Sequence, residues 1–322
     1  MHYRRLGRSG LKVSEISLGA WITFGGQVGE KEAAELIHAA YDQGVNFFDN
    51  ADMYAGGLAE TFMGQAIRGL PREALVLSSK VFWPTMPGPN GRGLSRKHIH
   101  ESLHASLRRL EVEYIDLYFC HRFDPDTPVE EVVWTMNDLI HQGKILYWGT
   151  SEWEPAQIVE AVGVARALNL IGPTMEQPRY NLLHRARVEN HLMPVCRDQG
   201  IGLTTFSPLE SGILSGKYNE GIPAGSRASL DNMAWLRDRL TPAVIGAVRQ
   251  LTALAVELEY TTAQLALAWV LRRKEVSSVI TGATTLHQLD ENLAAAECAE
   301  ALDEETIDRI FRIISPVADS KD

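Results

Sequence analysis

Cysteine is scarce: Cys120, Cys196 and Cys298 are the only three in 322 residues, far apart and without a C-x-x-C pair. That excludes a disulfide framework and a cysteine zinc site, and points to a reducing, cytoplasmic compartment. Long apolar runs are also missing. No stretch approaches the roughly 18 apolar residues of a membrane span, and the charged segment Met1–Gly10 is not followed by the apolar run of a signal peptide. Neither export nor membrane insertion is expected. Basic residues are outnumbered, with 31 Lys and Arg against 41 Asp and Glu for a formal net charge of -10. Nucleic-acid binding leans on a basic face, so that class of partner is excluded. The glycine turn G-x-G-x-x-G of an open dinucleotide-binding sheet does not follow the first strand-like run. What is present, 45% hydrophobic and 22% charged residues, is an ordinary globular balance with ample material for a core.

Short β-rich runs alternate with helix-length amphipathic segments. The strands read as Ile16–Gly19, Val45–Phe48, Leu75–Ser79, Ile115–Cys120, Ile145–Gly149, Thr174–Glu176, Gly202–Phe206 and Ser278–Thr281. Helices read over Lys31–Gln43, Arg96–Leu110, Val129–Gln142 and Pro155–Leu168. Strands separated by helices run parallel, and eight such units close without leaving an edge, so the pattern predicts an α/β fold of the (β/α)8 TIM-barrel type. A single domain over 1–322 is expected, with a hairpin cap in 1–14 at the lower mouth, the barrel in 15–300, and an extra helix and tail in 301–322, the helix near Asp303–Ile314. Two long stretches, Phe82–Gly93 and Pro208–Thr241, exceed ordinary loop lengths and are read as walls of a binding site.

In such a barrel, chemistry collects where strands end at their carboxyl side. Those positions are Asp49, Lys80, His121, Ser151, Gln177, Ser207 and Gly282, with Tyr54 just after Asp49. A tyrosine donates a proton near neutrality only if its phenolate is stabilised. Lys80 can supply that charge, Asp49 can counter a buried Lys80, and His121 can hydrogen-bond an oxygen on which negative charge develops. Together they form an acid assembly for carbonyl reduction, and the hydride must come from a cofactor. Ser207, Pro208, Leu209, Gly212, Ser215, Lys217, Arg227, Gly282, Thr284 and Thr285 follow the seventh and eighth strands, the usual phosphate side of this barrel.

The motifs Phe47-Phe48-Asp49-x-Ala51-x-x-Tyr54, Lys80, Leu117-Tyr118-x-x-His121 and Gly149-Thr150-Ser151 resemble the aldo-keto reductase pattern in order and context. The resemblance runs over nearly the whole chain. It is closest to the branch holding the β-subunits of voltage-gated potassium channels, as in Thr23-Phe24-Gly25-Gly26-Gln27, Tyr147-Trp148-Gly149-Thr150-Ser151 and Ser211-Gly212-Ile213-Leu214-Ser215-Gly216-Lys217-Tyr218. It implies an NADP(H)-dependent reductase of small carbonyl substrates with Asp49, Tyr54, Lys80 and His121 as catalytic tetrad. It also implies Gln177 at the nicotinamide carboxamide, Phe206 under the ring, and Ser207, Pro208, Leu209 and Lys217 over the pyrophosphate. Arg227, Thr284, Gln288, Glu291 and Asn292 would surround the adenosine and its 2′-phosphate, with Trp21, Ser151, Ser211 and Gly282 as further cofactor contacts. By analogy it implies a homotetramer. Channel-associated members typically carry Asn at the position of His121 and Arg at that of Glu152; the His favours a working reductase, and Glu152 is expected to lower cofactor affinity. Gly225 replaces an aromatic residue expected over the cofactor. The alternative function is a cofactor-sensing subunit that regulates a potassium channel or another protein partner.

Trp21, Met53 and Trp83 fall in loops at the expected mouth and, with Tyr54 and His121, are assigned to the substrate pocket. Trp134, Trp148 and Trp269 are assigned to the core, and Trp235 fits either role. His100-Glu101-Ser102-Leu103-His104 fits the zinc-peptidase pattern H-E-x-x-H, but Leu103, Leu107 and Leu110 mark that helix's buried face and leave His100 and His104 on its flank. No metal is expected.

Overall fold

The computed structural model describes residues 1–231 and 233–319; position 232 in the long loop and positions 320–322 of the expected tail lie outside the described residues. An antiparallel hairpin comes first, β1 (Tyr3–Arg5) with β2 (Lys12–Ser14). A strict alternation follows: β3 (Ile16–Gly19), α1 (Glu30–Asp42), β4 (Phe47–Asp49), α2 (Leu58–Ala66), β5 (Val76–Val81), α3 (Arg96–Leu110), β6 (Ile115–Cys120) and α4 (Val129–His141). It continues through β7 (Ile145–Ser151), α5 (Pro155–Ala167), β8 (Met175–Gln177), α6 (Met193–Gln199) and β9 (Gly202–Thr205). Three helices, α7 (Ala234–Arg239), α8 (Pro242–Glu257) and α9 (Thr262–Leu271), separate β9 from β10 (Val276–Thr281). Then come α10 (Leu286–Glu300) and α11 (Glu304–Ile314). Strands β3 to β10 are parallel and neighbour one another in chain order, and β10 pairs back onto β3 through Val279, Ile280 and Thr281 against Ile16, Ser17 and Leu18. This is the closed (β/α)8 barrel that the pattern predicts.

Side chains alternate across each strand, which gives the barrel two cores. The larger lies between strands and helices. The smaller fills the barrel itself with Phe47, Val76, Leu117, Phe119, Met175 and Ile280, and Leu6 and Val13 of the hairpin plug it from the amino-terminal side. Two residues further along the same inward faces the character changes: Phe47 is followed by Asp49, Phe119 by His121, Met175 by Gln177, and Val76 by Ser78 and Lys80. The interior is thus apolar at the plugged end and polar at the carboxyl end, and the sheet's period of two aims the polar groups at one mouth.

The hairpin is tied on closely. Arg4 Nη1 donates to the carbonyls of Arg273 (3.1 Å) and Val276 (2.9 Å), and Ser277 Oγ donates to the Arg5 carbonyl at 2.9 Å. Gly7 has φ +56°, and a Cβ there would lie 2.4 Å from the Gly200 carbonyl oxygen, so this contact admits glycine alone.

Of the tryptophans assigned to the core, Trp148 and Trp269 are fully buried, but Trp134 is 38% exposed. The reason is angular. Helix α4 presents Val132, Val133, Met136 and Leu139 to the barrel, and at about 100° per residue Trp134 has turned past that face. Trp235 on α7 is also exposed, with the Arg239 guanidinium 5.4 Å from its ring centroid.

Candidate active site

Asp49 ends β4, Lys80 stands next to last in β5, and His121 follows β6, its N–H continuing the ladder to the Val81 carbonyl at 2.9 Å. Tyr54 opens a 3-10 turn after β4 that reverses through left-handed Ala55, Gly56 and Gly57. Lys80 is fully buried, and such an ammonium is tolerable only when paired and hydrogen-bonded. Its Nζ lies 2.7 Å from Asp49 Oδ2 and donates to the Asn50 carbonyl at 2.7 Å. The other carboxylate oxygen, Asp49 Oδ1, accepts from Ser78 Oγ (2.7 Å) and Gln177 Nε2 (3.1 Å). The ion pair is therefore satisfied on both sides.

Tyr54 leans on this pair, with Lys80 Nζ 5.0 Å from its ring centroid, and meets the His121 ring edge-on at 5.9 Å. Burial, and then the Asp49 carboxylate, hold the Tyr54 phenol well above its usual 10. The Lys80 ammonium, whose charge is already matched by Asp49, does not offset this desolvation. Burial also lowers Lys80, against the pull of Asp49. His121 is pushed well below 6.5 by burial and by the nearby Lys80 and Arg122, so its ring is neutral at physiological pH. His121 Nδ1 is buried without a hydrogen-bond partner. The group thus offers a protonated phenol, a neutral imidazole and a fixed ammonium–carboxylate pair beside one another.

They face a cavity of about 720 Å³ at the carboxyl ends of the strands. Trp21, Asp49, Met53, Tyr54, Trp83, His121, Ser151, Gln177, Phe206, Ser207, Pro208, Leu209, Ser211, Lys217, Arg227, Gly282, Thr284, Gln288, Glu291 and Asn292 all line it. Lys80 is the exception, behind the wall and touching the cavity only through its neighbours. Glu152 is not on the wall either. Its φ of +57° turns it aside, where Oε1 accepts from the Arg179 N–H at 2.6 Å and Oε2 lies 3.8 Å from Arg187. The negative charge expected beside the cofactor is thus directed elsewhere. Gly225 does line the cavity.

The far end of the cavity fits a phosphorylated, extended ligand. Lys217 and Arg227 line it, and neither forms an ion pair among the described residues. Burial and the proximity of Arg227 lower Lys217, and burial lowers Arg227, so an anion between them would relieve both. Gly212, at φ +93°, makes room: a Cβ there would lie 2.8 Å from Lys217 Cε. Thr285 caps α10 by accepting from the Gln288 N–H, and the helix N-terminus adds its dipole.

Sequence reasoning missed Thr23, Gln27, Arg122, Ser226 and His287 on the wall. Gln27 Oε1 accepts from Arg227 Nη2 at 3.4 Å, joining the first loop to the long loop after β9; only the fold brings residues 200 positions apart together. Arg122 was in reach, since it follows His121 at a strand's carboxyl end. A broader groove of about 990 Å³ runs over the starts of α3 and α4, lined by Arg96, His100, Glu101 and Trp134, but it lies outside the barrel and carries none of the strand-end groups. His100 and His104 are there on the flank of α3, rings 6.4 Å apart, and the described residues contain no group of three side chains arranged for a metal. No helix among the described residues is long and apolar enough to cross a membrane.

A sequence profile described as the Aldo/keto reductase family matches residues 15–315. The chain is also 51% identical to proteins of Arabidopsis thaliana and of Oryza sativa subsp. japonica, each described as a probable voltage-gated potassium channel subunit beta. Each match runs over 318 residues, 98% of this chain and 97% of the relative.

Proposed function

The chain belongs to the aldo/keto reductase family, and we propose that it reduces aldehydes and ketones to alcohols with NADPH. The observation that carries this reading is Lys80, fully buried, 2.7 Å from Asp49 and 5.0 Å from the Tyr54 ring, behind a cavity onto which Tyr54 and His121 both open. NADPH, held in this cavity, would supply the hydride that the carbonyl carbon accepts.

The chain's own residues do the rest. Phe206, Gln177, Ser151 and Trp21 hold the nicotinamide end; Ser207, Pro208, Leu209, Ser211 and Lys217 hold the pyrophosphate. Arg227, with Thr284, Gln288, Glu291 and Asn292 and the Gly282 backbone, holds the adenosine and its 2′-phosphate through charge-assisted hydrogen bonds. Trp21, Met53 and Trp83 form the apolar wall that keeps water from the carbonyl. The Tyr54 phenol, protonated in the free protein, gives its proton to the carbonyl oxygen, and neutral His121 hydrogen-bonds the same oxygen as charge develops. As Tyr54 loses its proton, the Lys80 ammonium faces a phenolate, while Asp49 keeps Lys80 charged and in place. The buried, unpaired cysteines fit a cytoplasmic protein.

The test follows NADPH absorbance with a panel of aldehydes and ketones, for wild type and Tyr54→Phe. General acid catalysis is typically worth about 10²- to 10⁴-fold, so turnover should fall by that factor while NADPH binding survives. Loss of both together would contradict the role given to Tyr54. A second reading, a cofactor-binding subunit that regulates a channel, draws on the description of the two plant relatives. Tight NADPH binding with no turnover of any carbonyl would favour it.

A further inference from the structure

Arg122 stands at the substrate end of the cavity, beside His121, Ser151 and Trp83. Two side-chain hydrogen bonds engage it, both from Nη1: one to the His121 carbonyl at 2.5 Å, the other to Ser151 Oγ at 3.4 Å, the long limit of such a contact. A guanidinium has five N–H donors in a planar fork, so most of its capacity remains unused. It makes no ion pair among the described residues. Its Cζ lies 5.8 Å from the Trp83 ring centroid, and Arg92 Cζ lies 5.8 Å from the same ring and 5.2 Å from that of Phe82. Both guanidinium groups are within cation–π range of the pocket tryptophan.

The charge balance of the wall makes this position unusual. Its carboxylates are Asp49, neutralised by Lys80 at 2.7 Å, and Glu291, whose field acts on Lys217 at the opposite end. A chain of net charge -10 thus keeps an unmatched, half-buried arginine next to the group proposed to bind the carbonyl oxygen. We infer that Arg122 recognises a carboxylate on the substrate, so that the favoured substrates are carbonyl compounds bearing a carboxylate a few bonds from the reacting carbon. The inference rests on the carbonyl-reductase reading and adds a substrate class to it. A single planar guanidinium matches a monoanionic carboxylate, which it can hold through two parallel bonds. A phosphate dianion calls for more positive charge: Lys217 and Arg227 stand at the far end, and Arg92, although 5.8 Å from the Trp83 ring, is not on the cavity wall. The indoles of Trp21 and Trp83 leave room for an apolar body between carboxylate and carbonyl.

The test compares 4-carboxybenzaldehyde with its methyl ester as substrates of wild type, Arg122→Gln and Arg122→Lys with saturating NADPH. The reading is the ratio of the two kcat/KM values, in which any general damage from the substitution cancels. Hydrogen bonds to charged groups are worth a few kcal/mol, so the wild type should favour the acid by about 10- to 100-fold. Arg122→Gln should bring the ratio near one, Arg122→Lys should recover part of it, and salt should reduce it. A wild-type ratio near one, or a preference that survives Arg122→Gln, overturns the inference and leaves the reductase reading standing. If neither aldehyde is reduced by the wild type, the reductase reading fails by itself, and calorimetric titration of the NADP⁺-loaded protein with benzoate against benzamide decides the inference. Benzoate binding that disappears in Arg122→Gln supports the anion site, and equal binding of the two ligands overturns it.

Discussion

Glu176 and Asp49 are both carboxyl groups buried in the barrel wall, on strands four places apart, and their partners set them apart. Asp49 faces inward onto the Lys80 ammonium. Glu176, on the outward face of β8, has Thr150 Oγ donating to Oε2 at 2.5 Å and nothing on Oε1, and burial raises it to about 8. Its native form therefore holds a proton that the unfolded chain releases in the ordinary carboxyl range. With the folded value raised, the stabilisation is complete below about 4.5 and is lost as pH climbs through about 8. Glu176→Gln should match the wild type in urea midpoint near pH 5 and exceed it near pH 9, since each tenfold change in proton affinity between the folded and unfolded chain is worth about 1.4 kcal/mol. Parallel pH profiles for the two proteins would refute this. At this scale sequence reasoning reached Asp49, Lys80 and His121 because each stands at a strand end, where position alone implies direction, and Tyr54 from the loop just after Asp49 and its family motif. It did not anticipate that Glu152 turns away, because that depends on one left-handed φ, nor that burial raises the Tyr54 phenol despite the nearby Lys80, because that depends on desolvation.

Among the connecting elements, the loop after β9 has an unusual backbone. Ser207, Glu210, Ser211 and Gly212 all adopt left-handed φ, a costly run for non-glycine residues. What holds it is Glu210, nearly fully buried, whose carboxylate accepts from Arg179 Nε at 3.1 Å, Arg239 Nη1 at 2.7 Å and Asn181 Nδ2 at 2.7 Å. Burial raises this carboxyl group, but His184, 3.6 Å away, and the charge of Arg179 outweigh it and keep Glu210 below the usual range. Glu210→Gln should weaken these charge-assisted bonds, each worth about 1.5–3 kcal/mol. Limited proteolysis between residues 208 and 241 should accelerate several-fold and NADPH affinity should fall, with a smaller shift in the global unfolding midpoint. Unchanged cleavage there would mean that Glu210 does not govern the loop. The strands were legible in type and order, while their ends were blurred for a physical reason. Reading by hydrophobic pattern stops where the apolar run gives way to polar or charged residues, so β5 and β7 were ended at Ser79 and Gly149, yet they run to Val81 and Ser151. In a barrel those inward polar groups belong to the strand.

For the molecule as a whole, closure of the barrel was legible from three signals together: the βα alternation, the missing G-x-G-x-x-G turn of an open sheet, and the family resemblance. The interior plug was not, since nothing in the pattern of Leu6 and Val13 shows that they enter the barrel rather than cover it. The tight contact at Gly7 makes the plug testable. Gly7→Ala puts a methyl group 2.4 Å from the Gly200 carbonyl in a left-handed backbone, so it should cost more than about 1 kcal/mol in urea unfolding. It should also increase binding of a hydrophobic dye as Leu6 and Val13 loosen; an unaltered midpoint would show that the hairpin adjusts freely. The plug has a further consequence for how the chain comes to be folded during synthesis. Its partners include Arg273, Val276 and Ser277, and β3, which follows it, pairs with β4 on one edge and waits for β10 on the other. These contacts span more than 260 positions, a separation that delays folding. A hairpin made before the rest of the barrel is thus among the last segments to find its place. Until residue 281 has emerged, Leu6, Val13 and the edge of β3 stand open to solvent, and this interval is when a nascent chain of this design depends most on being shielded.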